Sequence, residues 1–144
     1  MSGSITSANI VFMLSVTGLY TAPQRIQGFA TDDVGDFDDL AVSENLMGVD
    51  GKLSAGFVFN AVVQKIALQA DSASNQLFDT WYQAEKVLRD KYFANGILTM
   101  PSINMSYVMT NGNLSMYKPI ADMKKVLQPR IYQITWESIV GAPI

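Results

Sequence analysis

Leu77-Phe78-Asp79-Thr80-Trp81-Tyr82-Gln83-Ala84-Glu85-Lys86-Val87-Leu88 is the stretch on which the fold turns. Around it, within residues 72–94, Leu77, Trp81, Ala84, Leu88 and Tyr92 recur at spacings of 4, 3, 4 and 4. That is one stripe of an α-helix and not the alternation of a strand. Asp71 or Ser72 is placed to cap its start and Asn95-Gly96 to supply a left-handed exit. Glu85 and Arg89 form an i,i+4 pair of the favoured orientation. Leu77, Trp81 and Leu88 are expected to dock this helix on whatever the rest of the chain builds.

Outward from the helix the apolar period falls to two. Residues 9–17 place Ile10, Phe12, Leu14 and Val16 on one face of a strand. Gly18 and Pro23 mark a break, and residues 25–34 form a second strand with Ile26, Gly28 and Ala30 alternating. A weaker strand runs through 40–47, and Asp50-Gly51 reads as a type I′ hairpin turn into the apolar run 53–68. There the alternation slips near Asn60, which suggests a bulge. After the helix come residues 97–109, interrupted by Pro101, a second hairpin signal at Asn111-Gly112, and strand 113–118. The segment with Ile120, Met123, Val126 and Leu127 fits either strand or helix. Residues 130–139 close the chain with Tyr132, Ile134 and Trp136 on one face. The expected fold is mainly β (α+β): a small antiparallel barrel or sandwich with one flanking helix. At 144 residues it is a single domain, 1–144.

Composition bears on function. Apolar residues are 49% of the chain, enough for a core, but charged residues are only 16%, against roughly 25% in ordinary soluble domains. Neighbouring copies covering part of the surface would reconcile the two. There is no Cys and no His. Disulfides, thiol nucleophiles, Ser-His-Asp triads and most transition-metal sites are thereby excluded. Met1 to Ser7 lacks a basic region followed by an apolar core, so no secretory signal is expected. No apolar run reaches the roughly 18 residues of a membrane-spanning helix.

Charge is unevenly placed. Asp32, Asp33, Asp36, Asp38, Asp39, Glu44 and Asp50 lie in one segment with no Lys or Arg, while the remainder holds six acids and ten bases. An extended acidic loop at 32–50 is expected, and it disfavours sequence-specific DNA binding. As a calcium loop it lacks the glycine and glutamate positions of an EF-hand, so no metal and no cofactor is assigned. As a glycoside hydrolase site it would pair Asp36 with Asp38 or neighbours, with no sugar platform in view. Trp81 and Trp136 sit on apolar stripes and are read as core. Gly48-Val49-Asp50-Gly51-Lys52-Leu53 lacks the spacing of a phosphate loop.

Ile26-Gln27-Gly28-Phe29-Ala30 followed by Asp32-Asp33, then Gly48-Val49-Asp50-Gly51, resembles the tail tube proteins of contractile-tailed bacteriophages. So do Asp71-Ser72-Ala73-Ser74-Asn75-Gln76-Leu77 opening a helix and a terminal strand ending near Trp136. The resemblance spans about residues 8–139. It implies the fold shared with the type VI secretion tube subunit, and hexameric rings whose strands join in one inner β-barrel. Such rings stack into a tube that passes phage DNA inside a contractile sheath. The implied partners are further copies of the chain, sheath, baseplate and tail terminator proteins, and DNA bound without sequence preference. The implied location is the virion tail, after synthesis in the host cytoplasm. The seven acids become candidates for inter-subunit or lumen contacts, with 32–50 as an arm reaching the next ring. The alternatives are a baseplate or tube-initiator component of similar fold and, from another class, the carboxylate-dependent hydrolase.

Overall fold

The computed structural model describes residues 10–29, 35–40, 42–57 and 60–144. In chain order these form β1 (Val11–Val16), β2 (Tyr20–Arg25), β3 (Gly35–Phe37), β4 (Ser43–Met47), β5 (Leu53–Phe57) and β6 (Val62–Leu68). Helix α1 (Asn75–Leu88) follows, then β7 (Ala94–Met100), β8 (Met105–Met116), β9 (Arg130–Trp136) and β10 (Ser138–Pro143). The strand order β2-β1-β7-β8-β9-β6-β3 is antiparallel throughout, with β10 also on β8 and β4-β5 standing apart as a hairpin. The mainly β architecture with one helix is the one the sequence pattern gives.

The sandwich is made by one strand that serves both sheets. The first part of β8 pairs with β7 and β10, and Asn113 to Met116 pair with β9. Asn111, at φ +48°, bends the strand, and Glu137 N–H donates to Thr110 O (3.1 Å) opposite the bend. Asn111-Gly112 is therefore not the hairpin its dipeptide suggests. It is a bulge at a corner, the usual device for moving a strand between sheets. Gly112 is required there for another reason: a Cβ would lie 2.5 Å from the Trp136 ring.

Alternation decides the core. Phe12, Leu14 and Val16 of β1 face Tyr132, Ile134 and Trp136 of β9 across the sandwich, and all six are fully buried. In β6 the inward set is Val62, Gln64, Ile66 and Leu68. Gln64 is admitted because its Oε1 accepts from Trp136 Nε1–H at 2.9 Å. Trp81 and Trp136 are both core.

Several local expectations shift. The second strand is residues 20–25, with Pro23 tolerated because β2 is a sheet edge. Residues 30–34 lie outside the described set. The β4–β5 hairpin turns through Val49, Asp50 and Gly51, with Gly48 N–H to Lys52 O at 2.8 Å and Gly51 at φ +85°. Asp50 is not in the left-handed region, so this is a three-residue loop with a glycine bulge and not a type I′ turn. Pro101 opens a short 3₁₀ turn linking β7 to β8. Residues 117–129 are irregular, with an isolated bridge between Met123 and Leu127. The closing run 130–139 is two strands, kinked at Glu137.

Helix α1 begins after Ser74, not at Asp71 or Ser72, and ends at Arg89 in the left-handed conformation, well before Asn95-Gly96. Ser72 and Ser74 serve the chain at Gln27 instead: Ser72 Oγ donates to Gln27 O (2.5 Å), and Ser74 Oγ accepts from Gln27 N–H (2.8 Å). Glu85 pairs with Lys91 at 3.1 Å and not with Arg89. Early termination also corrects the docking stripe. Leu77 and Trp81 are buried with Phe78, whereas Leu88, in the last turn, is 59% exposed and does not dock the helix within the subunit.

Candidate assembly interface

The helix is fixed to the sandwich by a polar and aromatic network, which leaves the rest of the surface for other work. Phe78 stacks on Tyr132 (4.1 Å between centroids, 9° between planes), and Tyr132 O–H donates to Asn75 Oδ1 at 2.8 Å. Arg130, buried at the start of β9, donates to Asp79 Oδ1 at 2.7 Å and to Lys118 O at 2.9 Å. Tyr117 O–H donates to the same Asp79 carboxylate. Burial alone would raise the Asp79 pKa, but the hydrogen bonds from Arg130 and Tyr117 and the guanidinium charge outweigh it and hold the carboxyl below 3.8. Burial pushes Tyr132 above its ordinary value of 10.0. No buried side-chain polar atom among the described residues lacks a partner.

Among the described residues, the acids singled out from sequence do not converge on a reaction centre. Asp32 and Asp33 lie outside the described residues. Asp36 sits in β3, whose backbone pairs with β6. Asp38 lies 3.9 Å from Lys65 on the surface, a pair worth little in water. Asp39 and Glu44 are exposed, and Asp50 Oδ1 accepts from Lys52 N–H (3.1 Å) to stiffen the hairpin turn. Among the described residues no cluster of three or more acids could hold a metal ion. A groove of about 640 Å³ lies between the helix end and β8 and is lined by Tyr82, Lys86, Arg89, Lys91, Leu114 and Tyr117 among others. None of Asp36, Asp38, Asp39, Glu44 and Asp50 lines it.

What these residues do share is exposure beside apolar groups. Every residue of β4 and β5 is exposed. Leu46 is 74% accessible and Val49, at the tip, is as open as in an extended peptide. A two-stranded hairpin is marginally stable alone in water, and exposed strand edges invite pairing. A second apolar surface crosses the outer face of the sheet β1-β7-β8-β10. Register places Met13, Ile97, Val108 and Val140 in one row across it. The outward positions flanking that row, such as Ser15, Thr99, Ser106 and Ser138, carry no charge. A third is the segment 117–129, where Ile120, Met123, Val126 and Leu127 are all exposed beside Lys118, Lys124 and Lys125. Its sequence fits either strand or helix, and in the fold it is neither; the signal it carries is four large apolar residues between Pro119 and Pro129 in a chain otherwise poor in charge.

Among solved structures, the fold is similar to a chain in the anti-feeding prophage baseplate, solved with 6-fold symmetry. That match has a TM-score of 0.63 and 11% identity, and covers 99% of this chain and 98% of that one. A chain of the anti-feeding prophage tube-terminating cap gives 0.61 at 10% identity, covering 100% and 94%. One in the sheath/tube terminator of an extracellular contractile injection system gives 0.57 at 11% identity, covering 91% and 92%. At these identities the likeness establishes the fold. No curated protein matches. A family profile described as "Tail fiber protein gp32" matches residues 3–140, nearly the whole chain. This is a family of structural tail proteins and not of enzymes, and the chain belongs to the tail fiber protein gp32 family.

Proposed function

We propose that this chain is a ring-forming structural subunit at an end of a contractile tail tube, in the baseplate or as the tube initiator. The observation that carries the reading is the end-to-end structural match to a baseplate chain, with a TM-score of 0.63 over 99% of this chain. The match to a chain of a sheath–tube complex in an injection system is weaker, at 0.52 over 92%. That second match supports a runner-up reading, the repeating tube subunit itself. The family description points to the tail as well.

In this reading residues 1–144 act as one domain, and neighbouring copies cover the exposed hairpin and sheet face. Residues 32–50 are the contact arm, with Asp36, Asp38, Asp39, Glu44 and Asp50 facing a neighbour or the channel. Six copies per ring is the stoichiometry that the 6-fold symmetry of the similar baseplate supports. The sheet face of β1, β7, β8 and β10 is uncharged, with Arg25 of β2 at its margin in register with Met13; it suits a channel wall, because a wall with few bases holds a polyanion weakly. Sheath, baseplate and terminator proteins are the neighbours, the virion tail is the location, and DNA passes without sequence-specific contact. Negative-stain electron microscopy of the purified protein tests this. Discrete rings or short stacks are expected; long tubes would favour the repeating subunit, and isolated monomers at high concentration would contradict both.

A further inference from the structure

The hairpin and the segment 117–129 are complementary in both polarity and charge, and each is open in the subunit. The hairpin carries Leu46, Met47, Val49 and Leu53 outward, with Glu44 and Asp50 beside them against the single base Lys52. Segment 117–129 presents Ile120, Met123 (82% exposed), Val126 and Leu127, with three lysines against the single acid Asp122. Lys118 is taken by Asp122 at 3.1 Å, and among the described residues Lys124 and Lys125 have no ion pair. The end of α1 adjoins this segment through the groove that Lys86, Arg89 and Lys91 line with Tyr117 and Pro119, three bases against Glu85 and Asp90.

From this complementarity we infer that the β4–β5 hairpin of one copy docks on the 117–129 segment and helix end of a second copy. The inference rests on the ring reading above and names the acceptor that reading lacks. Because both surfaces are exposed in the same subunit, they do not satisfy each other within one chain. Two different patches meeting between copies make a head-to-tail contact, which closes a ring or propagates a stack. Apolar side chains supply the attraction and are removed from water on contact. The charges fix the register and speed the encounter.

The chain has no cysteine, so single-cysteine variants report cleanly. Val49→Cys and Met123→Cys proteins are mixed under mild oxidation, with light scattering on the same sample. The expected result is a 49–123 cross-linked dimer in the mixture that neither variant forms alone. Lys124→Glu/Lys125→Glu is expected to weaken assembly about tenfold at low salt. Glu44→Lys/Asp50→Lys in the partner copy should restore it. Assembly without the 49–123 link, or with like-to-like links at the same rate, overturns this contact while leaving the ring reading standing; the hairpin then meets something else. Failure of the unmodified protein to assemble at any concentration overturns both.

Discussion

Replacing Trp81 by Ala tests how the helix is held. The ring is fully buried, lies 6.2 Å from Phe78, and its Nε1–H donates to Tyr92 O (3.0 Å) and Glu85 Oε2 (3.1 Å). An indole buries roughly 150–250 Å², worth about 4–6 kcal/mol at about 25 cal/mol per Å². Alanine retains part of that, and relaxation of the site recovers more, so the expected loss is about 3–5 kcal/mol. Glu85 keeps Lys91 and the Tyr92 N–H, so its carboxylate is not stranded. Trp81→Phe keeps most of the area but removes the donor, for a loss of about 1–2 kcal/mol. Leu88→Ala, at a position 59% exposed, should fall within about 0.5 kcal/mol. Urea unfolding followed by far-ultraviolet circular dichroism, at concentrations where subunits are apart, measures all three. A Trp81→Ala loss under about 1 kcal/mol, or one smaller than that of Leu88→Ala, would refute the docking argument.

Gly112→Ala should destabilise by about 1–3 kcal/mol, because its Cβ meets the Trp136 ring at 2.5 Å inside a packed core; thermal melting checks this, and an unchanged Tm would place Trp136 elsewhere. The Asp79 carboxyl is held below its unfolded value of 3.8, so its contribution is intact above that pH and is lost as pH falls through the lowered value. Asp79→Asn should flatten the acid limb of a stability–pH curve. Tyr117 and Tyr132 are raised above 10.0, so the neutral forms are favoured in the fold and stability falls as pH climbs past 10; Tyr132→Phe should reduce that alkaline slope in pH-dependent urea titrations. Hydrogen exchange of residues 43–57 should slow sharply on assembly, whereas strands β1 and β9 should change little; equal protection of the hairpin before and after would deny it an interface role.

The class of the fold was legible because periodicity survives packing. Phe12, Leu14 and Val16, then Tyr132, Ile134 and Trp136, alternate as they do because one face of each strand is buried. The change of period at Leu77 to Trp81 marks the helix for the same reason. Errors fell where one local signal has two structural uses. Asn111-Gly112 offers a left-handed residue and a glycine; a hairpin needs both, and so does a bulged corner under a tryptophan. Leu88 continues the stripe in sequence, but the chain leaves the helix at Arg89 and the stripe loses its support. The ion pair of Arg130 with Asp79 joins residues 51 positions apart, beyond any local pattern. The acids between 32 and 50 were visible as a charged segment, yet nothing local tells whether such a segment faces solvent, a channel or a neighbour. The segment 117–129 was unreadable by period because its apolar residues answer to no surface within the subunit.

Sedimentation velocity of the purified protein over a wide concentration range tests the central claim that this is a self-assembling structural subunit. The expected result is a discrete closed oligomer that is lost at low concentration or on removal of the hairpin's apolar tip, as in Leu46→Ser/Val49→Ser. A single 15.8 kDa species at every concentration, indifferent to that change, would contradict it.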